Sequence, residues 1–259
     1  MIGKWVARIE VRPLQRAFAG IFGVEDFHTH LRLAWLEHYA PAARGRFCEL
    51  GCGTGVACIE LLLRHPDATA VGFEASSSAL EIGSGLAHKL GLEGRFAVFR
   101  HDLAGGVPDL VQQADYVLLL DVLEHLRKPD DLSAAIVGRL SRGARVLVSV
   151  PTRLYPRIFG RAYHEHVGHC HDGFRLDELD GLFAGLERVR YRYSTGPLTW
   201  PGAALYYRLQ TWSDGERPHM SLTRLARWLV VMFAMPFRFL DFWNGKNVSC
   251  SLFAEYVKR

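Results

Sequence analysis

A doubly wound α/β fold on a parallel sheet is what this 259-residue sequence predicts, and three observations predict it. Runs that read as strands alternate with runs that read as helices from residue 46 onward, the spacing of successive βαβ units. The runs "ADYVLLLD" (114–121) and "ARVLVSVP" (144–151) are apolar almost throughout, as strands covered by helices on both faces must be. Between the first strand and the first crossover helix stands "ELGCGTG" (49–55), a turn bare enough to bring backbone N–H groups against a ligand.

Residues 1–44 read as amphipathic helices. The segments "LQRAFAGIF" (14–22) and "HLRLAWLEHYAP" (30–41) carry apolar residues at helical spacing, and Pro41 ends the second. The alternation then runs strand 46–50, helix 56–65, strand 68–74, helix 77–91 closed by Gly91, and strand 95–100. Strand 114–121, helix 129–141, strand 144–151, helix 175–185 and strand 187–194 follow. A last strand within 248–259 has no crossover helix directly before it, which leaves it free to lie antiparallel. The expected organisation is a helical segment 1–44 and a domain 45–259, with 194–247 as a helical insertion or lid.

With 31 basic and 27 acidic residues the formal charge is +4, too mild to call for nucleic acid as a partner. Cys48, Cys52, Cys58, Cys170 and Cys250 show no paired spacing and suit a reducing compartment. The start "MIGKWVARIEVRP" has no apolar core of the signal-peptide kind. No run reaches the roughly 18 apolar residues of a spanning helix. A cytoplasmic protein, membrane-associated at most peripherally, is the expectation.

The glycine turn narrows the ligand. Dinucleotide sites favour G-x-G-x-x-G, whereas Gly51, Gly53 and Gly55 are spaced G-x-G-x-G, with Val56 following. Glu49 adds a negative charge where a pyrophosphate would be repelled. A ligand with an ammonium group, an adenosine end and no phosphate fits, and S-adenosylmethionine is that ligand. Glu74, at the end of the second strand, is positioned to accept from ribose hydroxyls. Asp102, in "HDL" with Leu103, suits an adenine amino group, and Asp121, ending the fourth strand, suits the methionine half. Each acid taken alone also reads as a helix cap or turn residue. Four in order at the carboxyl ends of consecutive strands form a ligand-binding series.

These residues, "ELGCGTG…GFE…HDL…DVLEHLRKPDDL…GARVLVSVP", resemble the class I, seven-stranded S-adenosylmethionine-dependent methyltransferases, in particular the small-molecule branch of ubiquinone-pathway O-methyltransferases. The resemblance covers residues 45–193 and the last strand. It implies strand order 3-2-1-4-5-7-6 with the seventh strand antiparallel. It further implies that Glu49 and Asp121 serve the methionine end, Glu74 the ribose and Asp102 the adenine. Gly143-Ala144 departs mildly from the family's paired glycines.

On the acceptor side, an oxygen nucleophile calls for a base, and His125 and the cluster "YHEHVGHCHDGF" (163–174) offer candidates. In the resembled family a histidine shortly before an aromatic and a helix lies over the methyl group, and His169, five residues before Phe174, matches it. Read as a metal site, the cluster would pair His164 and His166 with His169 and His171, but the spacing follows no zinc motif, so no metal is expected. The uncharged run 228–237, within 221–243, and the stripe Lys4, Arg8, Arg12 beside Trp5 and Ile9 suggest a membrane surface and a lipid-like acceptor. The competing classes are a catalytically silent binding protein of this fold and a nicotinamide-dependent oxidoreductase. RNA methylation finds no "NPPY"-like motif after the fourth strand, where "DVLEH" stands.

Overall fold

The two most apolar runs of the sequence lie side by side at the centre of a seven-stranded sheet. In the computed structural model, the described residues are 3–10, 13–24, 26–39, 44–214, 222–234, 237, 240 and 245–259. The strands are β1 (Arg46–Leu50), β2 (Thr69–Glu74), β3 (Phe96–Arg100), β4 (Tyr116–Leu120), β5 (Arg145–Pro151), β6 (Glu187–Ser194) and β7 (Ser251–Val257). They lie in the order β3-β2-β1-β4-β5-β7-β6. The first five are parallel, and β7 runs antiparallel to both β5 and β6. Strand order and the reversed last strand agree with expectation.

Alternation along each central strand feeds two cores. Leu118 and Leu120 of β4, Leu147 of β5 and Phe253 of β7 join the core beneath α3 (Phe27–Tyr39) and α4 (Val56–Arg64). Val117, Leu119, Val146, Val148 and Tyr256 join the core beneath α6 (Pro129–Arg139) and α9 (Leu176–Leu182). Helix α5 (Ser77–Lys89) covers β2 and β3, with Ser76 capping its first turn by accepting from Ala79 N at 3.3 Å. In β7, Glu255 is 1% exposed, and Arg145 (2.6 Å) and Arg190 neutralise it from the flanking strands.

A third core lies apart from these two. Phe27 and Leu31 of α3 meet Tyr155 and Phe159 of α7 (Tyr155–Phe159), Tyr163 of α8 (Arg161–His166), and residues of the insertion. The insertion supplies α10 (Trp200–Asp214) and α11 (Leu222–Ala234), with Tyr206, Tyr207, Val231 and Ala234 buried. Their close approach needs Gly202, where a Cβ would stand 2.3 Å from that of Ala234. Helices α7 and α8 were not legible as such, so His164, Glu165 and His166 sit on a helix and not in a loop.

The aromatic beside the basic N-terminal stripe is not at the surface. Helix α1 is a single turn, Val6–Ile9, and Trp5 is buried, its indole donating to Glu60 Oε2 at 2.9 Å. Arg12 and Pro41 lie outside the described residues. Pro13 opens α2 (Pro13–Phe22), a position where its missing N–H costs nothing. No helix among the described residues is long and apolar enough to cross a membrane. The side chains of Trp212 and Trp228, and residues Phe239, Phe242 and Trp243, lie outside the described set.

Two positions on α11 separate core from surface. Val231 is fully buried and Phe233 is 67% exposed. Val231→Lys should therefore lower unfolding free energy by about 3 kcal/mol or more. Phe233→Lys should stay within about 0.5 kcal/mol of the parent. Urea unfolding followed by circular dichroism measures both, and equal losses would contradict the burial described.

Candidate functional site

The carboxyl ends of β1, β2 and β4 open into a cleft of about 510 Å³. Glu49, Gly51, Gly53, Glu74, Asp102, Leu103, Asp121 and His125 all line it, joined by Thr29 and Arg32 from α3. Of the expected cofactor residues, Gly55 is not in the lining. A larger cleft of about 1050 Å³ lies near β6, bordered by Arg153, Arg157 and Tyr191, and holds none of these residues.

The glycines of the turn differ in what they do. Gly53 has φ 54° with open space where a Cβ would stand, so its bareness leaves room on the cleft side. Gly55 has φ 71° and caps α4; a Cβ there would lie 2.4 Å from the Phe96 ring. It serves packing of the turn on β3. Just before them the turn is held to β2: Gly51 N and Cys52 N donate to Phe73 O at 2.8 and 3.0 Å.

Each acid has a distinct setting. Glu74 accepts from Gly53 N and Ser76 N, both at 2.9 Å, so its carboxylate is fixed at the cleft edge. Asp102 accepts from Ala104 N at 2.9 Å, capping a short 3₁₀ turn that begins at Leu103. Here the cap reading and the lining reading both hold. Asp121 stands at φ 56°, a left-handed conformation that strains a non-glycine residue. Arg32 Nε donates to it at 2.6 Å and Ser149 Oγ at 2.8 Å.

Glu49 is 4% exposed, and its Oε2 meets no donor among the described residues. Burial pushes its carboxyl up to about 7, against the opposing pull of Cys58 and Arg32. All five cysteines are free. Burial likewise raises the Cys48 thiol to about 12, so it stays protonated.

Beyond Asp121 the chain makes a 3₁₀ turn, Leu123–His125, and the loop after α8 clamps onto it. Cys170 N and His171 N donate to Glu124 O at 2.7 and 3.2 Å, and His171 Nε2 contacts Leu126 O at 2.8 Å. His169 is thereby brought beside His125, ring centres 4.8 Å apart, with Tyr155 at 5.5 Å. The grouping of His164, His166, His169 and His171 does not form among the described residues; Glu124, His125 and His169 gather instead. Sequence reasoning missed Arg32, which lies 89 residues before its partner, and Glu124, which reads as a helix-start acid. Burial and then Asp121 hold the Glu124 carboxyl well above the usual range.

Strand order and the reversed last strand are those of a Rossmann-like methyltransferase fold. Residues 48–146 match the family model described as a methyltransferase domain. The chain is similar to a candidate sarcosine dimethylglycine methyltransferase from Galdieria sulphuraria, at 13% identity and TM-score 0.63, over 95% of this chain and 96% of that one. It is similar to coclaurine N-methyltransferase bound to N-methylheliamine and SAH, at 14% identity and TM-score 0.59, over 96% and 75% of the two chains. It is also similar to the cyclase SpnF, at 16% identity and TM-score 0.60, over 99% and 96%. No curated protein matches the sequence.

The two glycines predict different costs. Gly53→Ala should lose about 1–2 kcal/mol of stability, the left-handed penalty alone. Gly55→Ala adds an overpacking cost of roughly 1–3 kcal/mol against Phe96. Thermal unfolding checks the order, and Phe96→Leu in the Gly55→Ala background should recover part of the difference.

Proposed function

We propose that this protein is an S-adenosylmethionine-dependent methyltransferase acting at an oxygen of a small-molecule or lipid-like acceptor. The observation that carries the reading is one cleft lined by the bare glycine turn and by Glu49, Glu74, Asp102 and Asp121. The methyltransferase-domain match over residues 48–146 supports it. The SAH-bound neighbour supports the cofactor class. A cyclase with the same fold is the specific ground for a second reading, a protein of this fold that does not transfer methyl groups.

In the proposed assignment the charges of the methionine end are met by opposite charges. Glu49 and Asp121 face the ammonium, and Arg32 is the cation available to the carboxylate. Glu74 takes the ribose hydroxyls and Asp102 the adenine edge, with Leu103 against the ring. Transfer forms a bond between acceptor oxygen and methyl carbon as the carbon–sulfur bond breaks. The electron pair stays on sulfur, which loses its positive charge, and the hydroxyl proton leaves to a base. His169, with His125 beside it, is the candidate on that side. Positioning and exclusion of water supply most of such a rate enhancement.

Helices α10 and α11 serve as the acceptor-side wall on this reading, since Tyr206 and Tyr207 of α10 and Val231 of α11 share a core with Tyr155, the ring next to His169. Leu229, Phe233, Phe237 and Leu240 are exposed at near-helical spacing and give a lipid-like acceptor or a peripheral membrane contact a place to approach.

Calorimetry should detect SAH and S-adenosylmethionine and give no heat with NAD; the reverse result would end the proposal. Glu74→Ala should weaken binding by about 1–3 kcal/mol. The pH dependence follows from Glu49, whose carboxyl stands at about 7 folded against 4.5 unperturbed. A cationic ligand needs the ionised form, so affinity should rise with pH through 7 and then level off. It should be about tenfold tighter at pH 8 than at pH 6, with proton release at the lower pH. The ligand-free fold has the opposite sign: it loses stability as pH rises from 4.5 to about 7. His169→Ala should lower turnover about 10²-fold if that side chain is the base, with cofactor affinity unchanged.

A further inference from the structure

We propose that the cleft along β6 is a second ligand site, built for a nucleotide-like molecule: a planar ring that carries a chain of phosphates. Its volume is about 1050 Å³, at the upper end of what small-molecule sites enclose. It shares no lining residue with the cleft of the glycine turn. Thr152 and Arg153 follow β5, Tyr193 stands near the end of β6, and Lys246 precedes the antiparallel β7. The cleft therefore starts at the carboxyl end of the parallel strands, where open sheets take ligands, and runs along β6 to Arg188.

Charge is the first observation. Arg153, Arg157, Arg175, Arg188, Arg192 and Lys246 line the cleft, against the two acids Asp177 and Asp180. That local excess equals the formal charge of the whole chain, +4. The acids are already engaged. Asp177 accepts from Arg175 at 3.1 and 2.8 Å, and Asp180 accepts from Arg188 and, at 3.1 Å, from the Tyr256 hydroxyl. Glu178, on the same helix, takes Arg153. Arg157 of α7 and Lys246 meet no acid among the described residues. Each alone reads as solvated surface, but here they come from separate segments and border one cleft. A cleft lined by one sign of charge concentrates the opposite ion, and guanidinium and ammonium groups together are phosphate ligands. A neighbouring cleft of about 610 Å³ shares Arg153 and Arg157, which gives a chain of phosphates room to extend.

The second observation is independent of charge. Leu154, Phe174, Leu176, Tyr191 and Tyr193 also line the cleft. Tyr191 is 45% exposed, with the Arg188 guanidinium 5.1 Å from its ring centre and Tyr193 edge-on to it at 6.1 Å. A free phosphate has no use for such a surface. A planar ring stacks on an exposed tyrosine, and an adjacent guanidinium strengthens the contact.

The test is calorimetry of the full-length protein with GDP and with inorganic pyrophosphate, each with and without excess SAH. GDP carries no adenine to compete for the cleft of the glycine turn. One GDP per chain should bind, pyrophosphate should displace it, and SAH should leave its affinity unchanged. Arg157→Glu and Lys246→Glu should each weaken both probes about tenfold, with folding checked by circular dichroism. Arg142→Glu makes the same charge change at an exposed position outside the cleft and should bind like the parent. Tyr191→Ala should weaken GDP about fivefold or more and leave pyrophosphate unchanged, and Tyr191→Phe should match the parent. Absence of GDP binding, displacement of GDP by SAH, or undiminished binding in Arg157→Glu and Lys246→Glu would overturn the site. An unchanged GDP affinity in Tyr191→Ala would overturn the ring-bearing class of ligand. Single-stranded oligouridine bound far more tightly than GDP, and weakened by the same charge variants, would make the cleft part of a nucleic-acid surface and overturn the small-ligand assignment.

Discussion

Arg32 donating to Asp121 is the contact on which the rest of the site depends. The chain leaving β4 must turn at once, and it does so by placing Asp121 at φ 56°. A non-glycine residue holds that conformation only when its surroundings over-determine it. Arg32 from α3 and Ser149 from β5 take one carboxylate oxygen each. The pair thereby ties the N-terminal helical segment to the ends of two central strands. Trp35, one turn further along α3, stacks on Phe253 of β7 at 4.3 Å and fixes the same helix across the sheet. The cleft has a helix along one side because these two contacts hold it there.

Buried carboxylates are handled in two ways within this fold. Glu60 and Glu255 sit in structural positions, and arginine or backbone donors meet them. Glu49 lines the cleft and Glu124 sits beside it, and one oxygen of the first and both of the second meet no described donor. A buried acid with an unmet oxygen is costly, and the fold retains two of them where a ligand is proposed to bind. Perturbed acids of this kind cluster at functional sites. Here they flank Asp121, one on the proposed cofactor side and one on the proposed acceptor side.

Similarity to solved structures establishes the architecture and stops there. A fold that hosts both a coclaurine N-methyltransferase and a cyclase does not name a reaction. Methyl transfer is proposed from the chemistry of the cleft and the domain match. The third core, built by α3, α7, α8, α10 and α11, is where specificity is proposed to reside. Its tyrosines pack directly behind Tyr155 and His169.

Local sequence by itself determined the strands, the crossover helices and the ligand turn. Apolar runs such as 116–120 and the glycine spacing at 51–55 are short-range signals, and the acids Glu49, Glu74, Asp102 and Asp121 stand at or just past the carboxyl ends of their strands. Their common cleft follows from parallel strand order, since every carboxyl end then points the same way. Helices α7 and α8 were hidden because each is about one turn long and is stabilised by packing against α10. Tertiary structure alone decided the partners: Arg32 for Asp121, Glu60 for Trp5, and Glu124 with His125 for His169. Those pairs join residues 89, 55 and 44 or 45 positions apart, and no periodicity or local spacing encodes a contact that forms only when separate elements pack.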